Sequence, residues 1–263
     1  MPTYRKRLRA YSYGHGIGLL LLDARAPFVP GDVGNASSYD YPALYKTVPG
    51  LTTNACLGGE AGWEDAVVKA ARGLEKEGAK GLSSDCGFMI QFQEVVADAV
   101  DIPVALSSLL QLPMMARCLD PDATIGILTA DDSILTRDIL DRYGLRVPNP
   151  IVIRGPQNEP EFNEAIMLAG PQGSPSMSLD SDKIREEVVG TAHAMQDEHP
   201  EMAAILIECS IMPPYAKALQ EAVDLPCFNF IDMIDYMACR HPPARLSGRL
   251  LGAGAAREGR IQS

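Results

Sequence analysis

Two of the six cysteines stand in matching surroundings. Gly81-Leu82-Ser83-Ser84-Asp85-Cys86 and Ala204-Ile205-Leu206-Ile207-Glu208-Cys209 each run a strand-like segment into an acid and then a thiol. A proline follows each cysteine 17 residues later, in Ala99-Val100-Asp101-Ile102-Pro103 and Ala222-Val223-Asp224-Leu225-Pro226, and the offset between the copies is 123 throughout. A thiolate is a base and a thiol an acid. Two equivalent cysteines facing one substrate can therefore take a proton from one face of a carbon and return one to the other. Such a pair works with one sulfur charged and one neutral, and the direction of reaction decides which starts charged. A single buried cysteine is ordinarily inert packing. Its recurrence at equivalent points argues for use, whereas Cys56, Cys118, Cys227 and Cys239 lack that pairing and read as structural.

The elements that must position these thiols repeat as well. A helical pattern around Ala66 to Glu77 leads into the first cysteine strand and one around Val188 to Glu198 into the second. Helices are predicted over Gln91 to Val100 and Tyr215 to Val223, and short strands over Val104 to Ser107 and Cys227 to Phe230. Apolar strands Ile17 to Leu22 and Thr124 to Thr129 open the two halves. Alternating strands and helices imply parallel sheets covered on both faces. The predicted fold is α/β: two pseudo-symmetric lobes, 1–119 and 120–239, each a parallel sheet flanked by helices, followed by an irregular tail, 240–263. The turn Asp120-Pro121-Asp122 marks the boundary. Arg154 to Asp182 reads as an irregular connection with a short helix from Glu161 to Leu168.

In such sheets ligands gather at the carboxyl ends of strands, where both cysteines fall, so the active site is expected at the lobe interface. A helix N-terminus can pull a thiol below its free pKa of about 8.5. Strand alternation would turn Asp85 and Glu208 away from the cysteine face, to orient neighbours or cap the following helices.

The two strand-Cys motifs and the Ala-Val-Asp-[Ile/Leu]-Pro echoes resemble the PLP-independent aspartate/glutamate racemase superfamily, over roughly Gly16 to Asp235. That superfamily also holds hydantoin racemases, maleate isomerase, arylmalonate decarboxylase and the Alma-type dimethylsulfoniopropionate lyases. The resemblance implies a two-lobed protein with Cys86 and Cys209 as the catalytic pair and no cofactor. Amino-acid racemases of this kind carry Cys-Asn-Thr in the first motif and Cys-Thr followed by a polar residue such as His in the second, groups that hold the substrate. This chain instead has Cys86-Gly87-Phe88 and Cys209-Ser210-Ile211, which points to a different acid or to a lyase reaction.

Gly87, Phe88 and Ser210 are the candidate substrate-binding residues beside the thiols. Asn35 and Tyr45 are added from the long loop after the first strand, with Lys46 as a candidate closing group, because backbone N–H groups in a Gly-containing loop can cradle a carboxylate. Its Gly31-Asp32-Val33-Gly34-Asn35 is similar to loops in a subgroup of that superfamily with some likeness to the Alma-type lyases. Thr129 is the corresponding candidate from the second half.

Composition excludes several classes. A net charge of -11 and a pI near 4.8 disfavour nucleic acid, and no basic run exists beyond Arg5 to Arg9. The run Ile17 to Leu22, although followed by Ala24-Arg25-Ala26, stops at Asp23 and reads as a buried strand rather than a signal segment. No membrane span is expected. Sparse cysteines without a C-x-x-C pair fit a reducing cytoplasm. The four histidines show no ligand spacing, so no metal is expected. The glycines at 14, 16 and 18 precede their strand rather than follow it, against a dinucleotide site.

The reading that results is a cofactor-independent racemase or isomerase acting beside the carboxylate of a small amino or carboxylic acid, and a homodimer would be ordinary for such a fold. The alternative is a lyase on the same frame, releasing acrylate and dimethyl sulfide. A decarboxylase would need only one cysteine. A non-catalytic two-lobed binding protein, the third reading, would tolerate loss of both thiols.

Overall fold

The computed structural model describes residues 10–169 and 178–238. Arg5 to Arg9, Cys239 and the tail at 240–263 lie outside them. Strands β1 (Ile17–Leu21), β2 (Ala43–Thr47) and β3 (Leu82–Ser84) form a sheet in the order β2-β1-β3. Strands β4 (Thr124–Leu128), β5 (Ile151–Arg154), β6 (Met202–Ile207) and β7 (Cys227–Phe228) form a second, β5-β4-β6-β7. All pairings are parallel. The expected α/β architecture of flanked parallel sheets is present.

The repeat is a repeat of register. Leu82 bridges Val104 in the first sheet, and Ile205 pairs with Cys227 in the second, the same offset of 123. The two prolines explain their own recurrence: Leu82 N–H donates to the Pro103 carbonyl and Ile205 N–H to the Pro226 carbonyl, each at 2.9 Å. A proline donates no hydrogen bond but accepts one, so it can open an outer strand. The expected strand from Val104 to Ser107 shrinks to that single bridge. The chain then turns, with the Ser107 hydroxyl capping a 3-10 turn at Ser108–Gln111. Edge strands β2 and β5 escaped the sequence pattern because both are only half-buried along their length.

The helices are α1 (Thr53–Leu57), α2 (Glu64–Glu77), α3 (Gln93–Ala99), α4 (Leu112–Cys118), α5 (Arg137–Arg142), α6 (Pro160–Phe162, continued by a π-turn at Asn163–Met167), α7 (Ser181–Glu198), α8 (Ala216–Val223) and α9 (Phe230–Ala238). Helix α2 buries Val67, Ala70, Ala71 and Leu74, a stripe at helical spacing, against Leu20 and Leu82. It stops at Gly78, whose φ of 109° is open to glycine, and whose missing Cβ leaves room for the Ser12 carbonyl. On the second sheet, α7 lays Ile184, Val188, Ala192 and Met195 against Ile205 and Ile207, together with Leu219 and Val223 of α8.

The remaining face of each sheet is covered from the other half of the chain. Helix α9 sets Phe230, Met233 and Ile234 on Ile17 and Leu19 of β1. Helix α4 contributes Leu112, Met115 and Ala116 to the cluster that holds Ile125, Ile127, Ala204 and Leu206 of the second sheet. That cluster continues into Leu20, Leu22 and Leu82, so one apolar core runs through both lobes. Met115 is buried and its neighbour Met114 faces solvent.

Buried polar bonds tie the crossing. The Ser108 hydroxyl donates to the Ile207 carbonyl at 2.9 Å and the Gln111 amide to the Asn229 carbonyl at 2.9 Å. Removing a donor from a buried acceptor costs about 1 to 3 kcal/mol. Ser108→Ala is expected to lower unfolding free energy by that amount in a urea titration; an unchanged midpoint would show that this bond does not join the lobes.

Candidate active site

Both cysteines sit one residue beyond the last paired part of their strands. Asp85 N–H donates to the Leu20 carbonyl at 3.1 Å and Glu208 N–H to the Leu128 carbonyl at 2.8 Å, so β3 and β6 are held against β1 and β4 up to the acids. The next residues, Cys86 and Cys209, enter tight turns, and both line one cavity of about 60 Å³ between the lobes. Gly87, Phe88 and Ser210 line it too, with Leu22, Ala24, Ala26, Phe28, Thr53 and Leu57 on one side. Ala130, Ile166, Met167, Ala169 and Ile211 close the other side.

The acids before the cysteines line the same cavity, contrary to the alternation expected of them. Alternation holds within a paired strand, and these residues lie at its end. Each carboxyl curls over the neighbouring strand instead. Asp85 Oδ1 accepts from Leu22 N–H at 3.0 Å, and the Glu208 carboxylate accepts from Ala130 N–H. Glu208 Oε2 also takes the Thr129 hydroxyl at 2.7 Å, while buried Oε1 has no protein partner. That carboxylate occupies the space above Gly87: a Cβ there would lie 1.7 Å from Oε1. Glycine after Cys86 is therefore what lets an acid of the second lobe reach over the first. The reciprocal contact is a hydrogen bond from the Ser210 hydroxyl to the Asp85 carbonyl.

Burial dominates the electrostatics. It pushes Asp85 and Glu208 up to about 7 each, against the pull of the N–H groups they accept from and, for Glu208, of Thr129. Cys86 lies well above its ordinary range because it shares a hydrogen bond with Cys56, because it is desolvated, and because Glu208 and Asp85 disfavour a thiolate. Cys209 is raised by burial and by Glu208, while the backbone N–H groups of Ile211 and Met212 in the following turn favour the thiolate. Glu208 thus acts on both thiols.

Among the sequence candidates, Cys86, Cys209, Gly87, Phe88 and Ser210 come together on this wall. Asn35, Tyr45 and Thr129 do not line it. Asn35 is consumed by its own loop: Nδ2 donates to the Phe28 carbonyl at 2.9 Å and Oδ1 accepts from Ser37 N–H. The Tyr45 hydroxyl is buried in strand β2, held near the neutral form by burial and by Asp32. Thr129 stands behind Glu208 and fixes it. Lys46 pairs with Glu77 at the surface.

The long loop instead clamps the second lobe. Gly31, at φ 98°, packs on Pro214, and Val33 N–H meets the Ser210 carbonyl at 3.4 Å. Within it, Asp32 is buried with Oδ2 unpartnered and is pushed up to about 8 by desolvation.

Sequence reasoning missed Asp85 and Glu208 as cavity groups. It also missed Cys56, set against Cys86 by Gln91, whose amide donates to the carbonyls of Cys56 and Phe88 at 2.9 and 3.0 Å. Neither had a signal beyond position. Among the described residues no Lys, Arg or His lines the cavity, no group of metal-binding side chains occurs, and no helix is long and apolar enough to cross a membrane.

Known proteins share both the sequence and the fold. A dimethylsulfoniopropionate lyase of Durusdinium sp. clade D is 30% identical over 226 residues, covering 84% of this chain and 73% of the relative. A dimethylsulfoniopropionate lyase of Emiliania huxleyi is 32% identical over 225 residues, covering 82% of this chain and 64% of the relative. Among solved structures, a cysteine mutant of arylmalonate decarboxylase superposes with a TM-score of 0.55 at 14% identity, over 85% of this chain and 91% of that one. Allantoin racemase from Klebsiella pneumoniae does so with a TM-score of 0.54 at 14% identity, over 85% and 87%. No protein-family model matches the chain.

The buried acids set a pH dependence. Between about pH 4 and pH 7 the folded chain keeps protons on Asp85 and Glu208 that the unfolded chain has released, so stability falls as pH rises through that window. A tenfold difference in proton affinity between the folded and unfolded chain is worth about 1.4 kcal/mol. Unfolding free energy is expected to drop by a few kcal/mol between about pH 5 and pH 8. Combining Asp85→Asn with Glu208→Gln should flatten the slope, leaving the part due to Asp32. An equal slope in that double variant would overturn the assignment of these carboxyls as uncompensated.

Proposed function

This chain belongs to the dimethylsulfoniopropionate lyase family, on the fold of the aspartate/glutamate racemase superfamily, and from that premise we propose that it eliminates dimethyl sulfide from dimethylsulfoniopropionate with its two cavity thiols. The observation that carries the reading is that Cys86 and Cys209, at the equivalent ends of β3 and β6, line one cavity. Burial opposes a thiolate at Cys209, and the backbone N–H groups of Ile211 and Met212 in the turn after it favour one.

The Cys209 thiolate removes the proton from the carbon next to the carboxylate. The freed electron pair forms the carbon–carbon double bond as the bond from the adjacent carbon to sulfur breaks. Dimethyl sulfide departs neutral with the bonding pair, acrylate remains, and the proton, now on Cys209, returns to water. Cys86, held as the neutral thiol, donates a hydrogen bond where negative charge builds on the carboxylate. The step calls on no cofactor.

A second reading keeps the same first proton transfer. The thiols occupy equivalent ends of β3 and β6, and with no leaving group on the adjacent carbon Cys86 would reprotonate the opposite face, which is racemisation. Elimination is preferred because the chain's relatives carry that activity in their names.

Proton NMR in D2O with dimethylsulfoniopropionate and a panel of amino and hydroxy acids distinguishes the two. Acrylate and dimethyl sulfide are expected. Cys209→Ser should lower kcat by about 100-fold or more, the scale of a lost general base, and Cys86→Ser by a smaller factor. Because burial holds Cys209 protonated at neutrality, kcat/KM should rise with pH from neutrality through the alkaline range. Deuterium at the carbon beside the carboxylate with no new product would favour racemisation. Activity surviving both substitutions would overturn the thiol mechanism.

A further inference from the structure

The cavity holds two buried carboxyl groups and, among the described residues, no basic side chain to answer them. Ion pairs of the described residues, such as Lys46–Glu77 and Arg154–Glu198, lie at the surface. Glu208 is 1% exposed, lines the cavity and carries an oxygen with no protein partner. Burying an ionised carboxyl without a counter-charge is costly enough that folds provide one or keep the group protonated. Here the missing charge can arrive with the substrate.

The rest of the wall narrows the kind of cation. Leu22, Ala24, Ala26 and Leu57 offer methyl and methylene groups, and Phe28 and Phe88 offer aromatic rings. A primary ammonium has three N–H donors, each needing an acceptor. The carboxyl oxygens are partly used already, by Leu22 N–H on Asp85 and by Thr129 on Glu208. A methylated onium donates no hydrogen bond of that kind. It needs diffuse negative charge and apolar and aromatic contact, and the residues that line this wall are of those kinds.

We propose that Asp85 and Glu208 together form the binding site for a methylated cationic group of the substrate, and that they select such a group over both a neutral isostere and a primary ammonium. The proposal rests on the elimination reading, in which that group is the one that leaves. The seated cation also offsets the charge of Glu208, which disfavours a thiolate at both Cys86 and Cys209, and that of Asp85, which disfavours one at Cys86. The substrate thereby helps ionise the base that attacks it, and an empty site keeps its thiols protonated.

Three carboxylates of common length test this by isothermal titration calorimetry on the full chain: trimethylammoniopropionate, its tert-butyl isostere with carbon in place of nitrogen, and beta-alanine. The trimethylammonium acid, a poor leaving group, reports binding without turnover. The wild type is expected to bind it at least about tenfold tighter than either of the others, the range of a partly desolvated cation contact. Glu208→Gln should bring that preference within about twofold, Asp85→Asn should reduce it, and Glu208→Asp should retain part of it. Equal binding of the cation and its neutral isostere by the wild type overturns the proposal without any variant. So does a preference that survives both Glu208→Gln and Asp85→Asn. If the preference is present and lost in Glu208→Gln while no acrylate forms from dimethylsulfoniopropionate, the elimination reading fails and the cation site stands. If acrylate forms but the preference is absent, the cation site alone fails.

Discussion

Two acids and two thiols share a wall from which water is largely excluded, and keeping them there constrains most of the neighbouring chain. Each carboxyl must be given hydrogen bonds in place of hydration, and the fold supplies them from fixed backbone rather than from mobile side chains. Leu22 and Ala130, the residues just past β1 and β4, donate their N–H groups, and Thr129 adds a hydroxyl. Gly87 omits a side chain so that Glu208 has somewhere to lie. What this support leaves undone is full compensation of charge, and the result is a pair of carboxyls poised near neutrality beside thiols biased toward protonation.

The crossing of the chain ties the two halves that supply these groups. Because α9 covers β1 and α4 joins the core beneath the second sheet, neither lobe has a complete core of its own. The carboxyl ends of β3 and β6 therefore meet over an apolar core that both halves of the chain build. The loop at Pro30 to Tyr39 reinforces this by packing Gly31 on the turn that follows Cys209. Its glycines and Asn35 serve loop geometry, so a segment that looks like a ligand cradle acts here as a clamp.

The parts legible in the sequence were those written as long-range pattern. The offset of 123 ties two strands, two thiols and two prolines, and the sheet register reproduces it because equivalent residues bond to equivalent partners. Side-chain direction at the strand ends was not legible. The period of two that would turn Asp85 and Glu208 away applies only while a strand is paired, and both lie where pairing stops. Tyr45 and Lys46 were misplaced for a related reason. They belong to an edge strand, half-buried along its length, whose pattern resembles loop. Thr129 was located correctly at a strand end, yet its hydroxyl is spent on Glu208, a contact between residues 79 apart that no local pattern encodes.

The fold alone does not choose the reaction, since structures with TM-scores of 0.55 and 0.54 to this one bear the names of a decarboxylase and a racemase. Decarboxylation, racemisation and elimination beside a carboxylate all pass through negative charge on the same carbon, and they part over what becomes of that charge. A donor on the opposite face returns a proton, and a leaving group on the next carbon takes the electrons away. In the proposed reaction the two strand-end thiols serve the stage the reactions share. Gly87 and Ser210 beside the thiols, together with Asp85 and Glu208, line the same wall, and in the proposed reaction they bear on the stage where the three part. On that reading, specificity would rest on the positions on either side of each cysteine, while the strands that hold the sulfurs supply the shared frame.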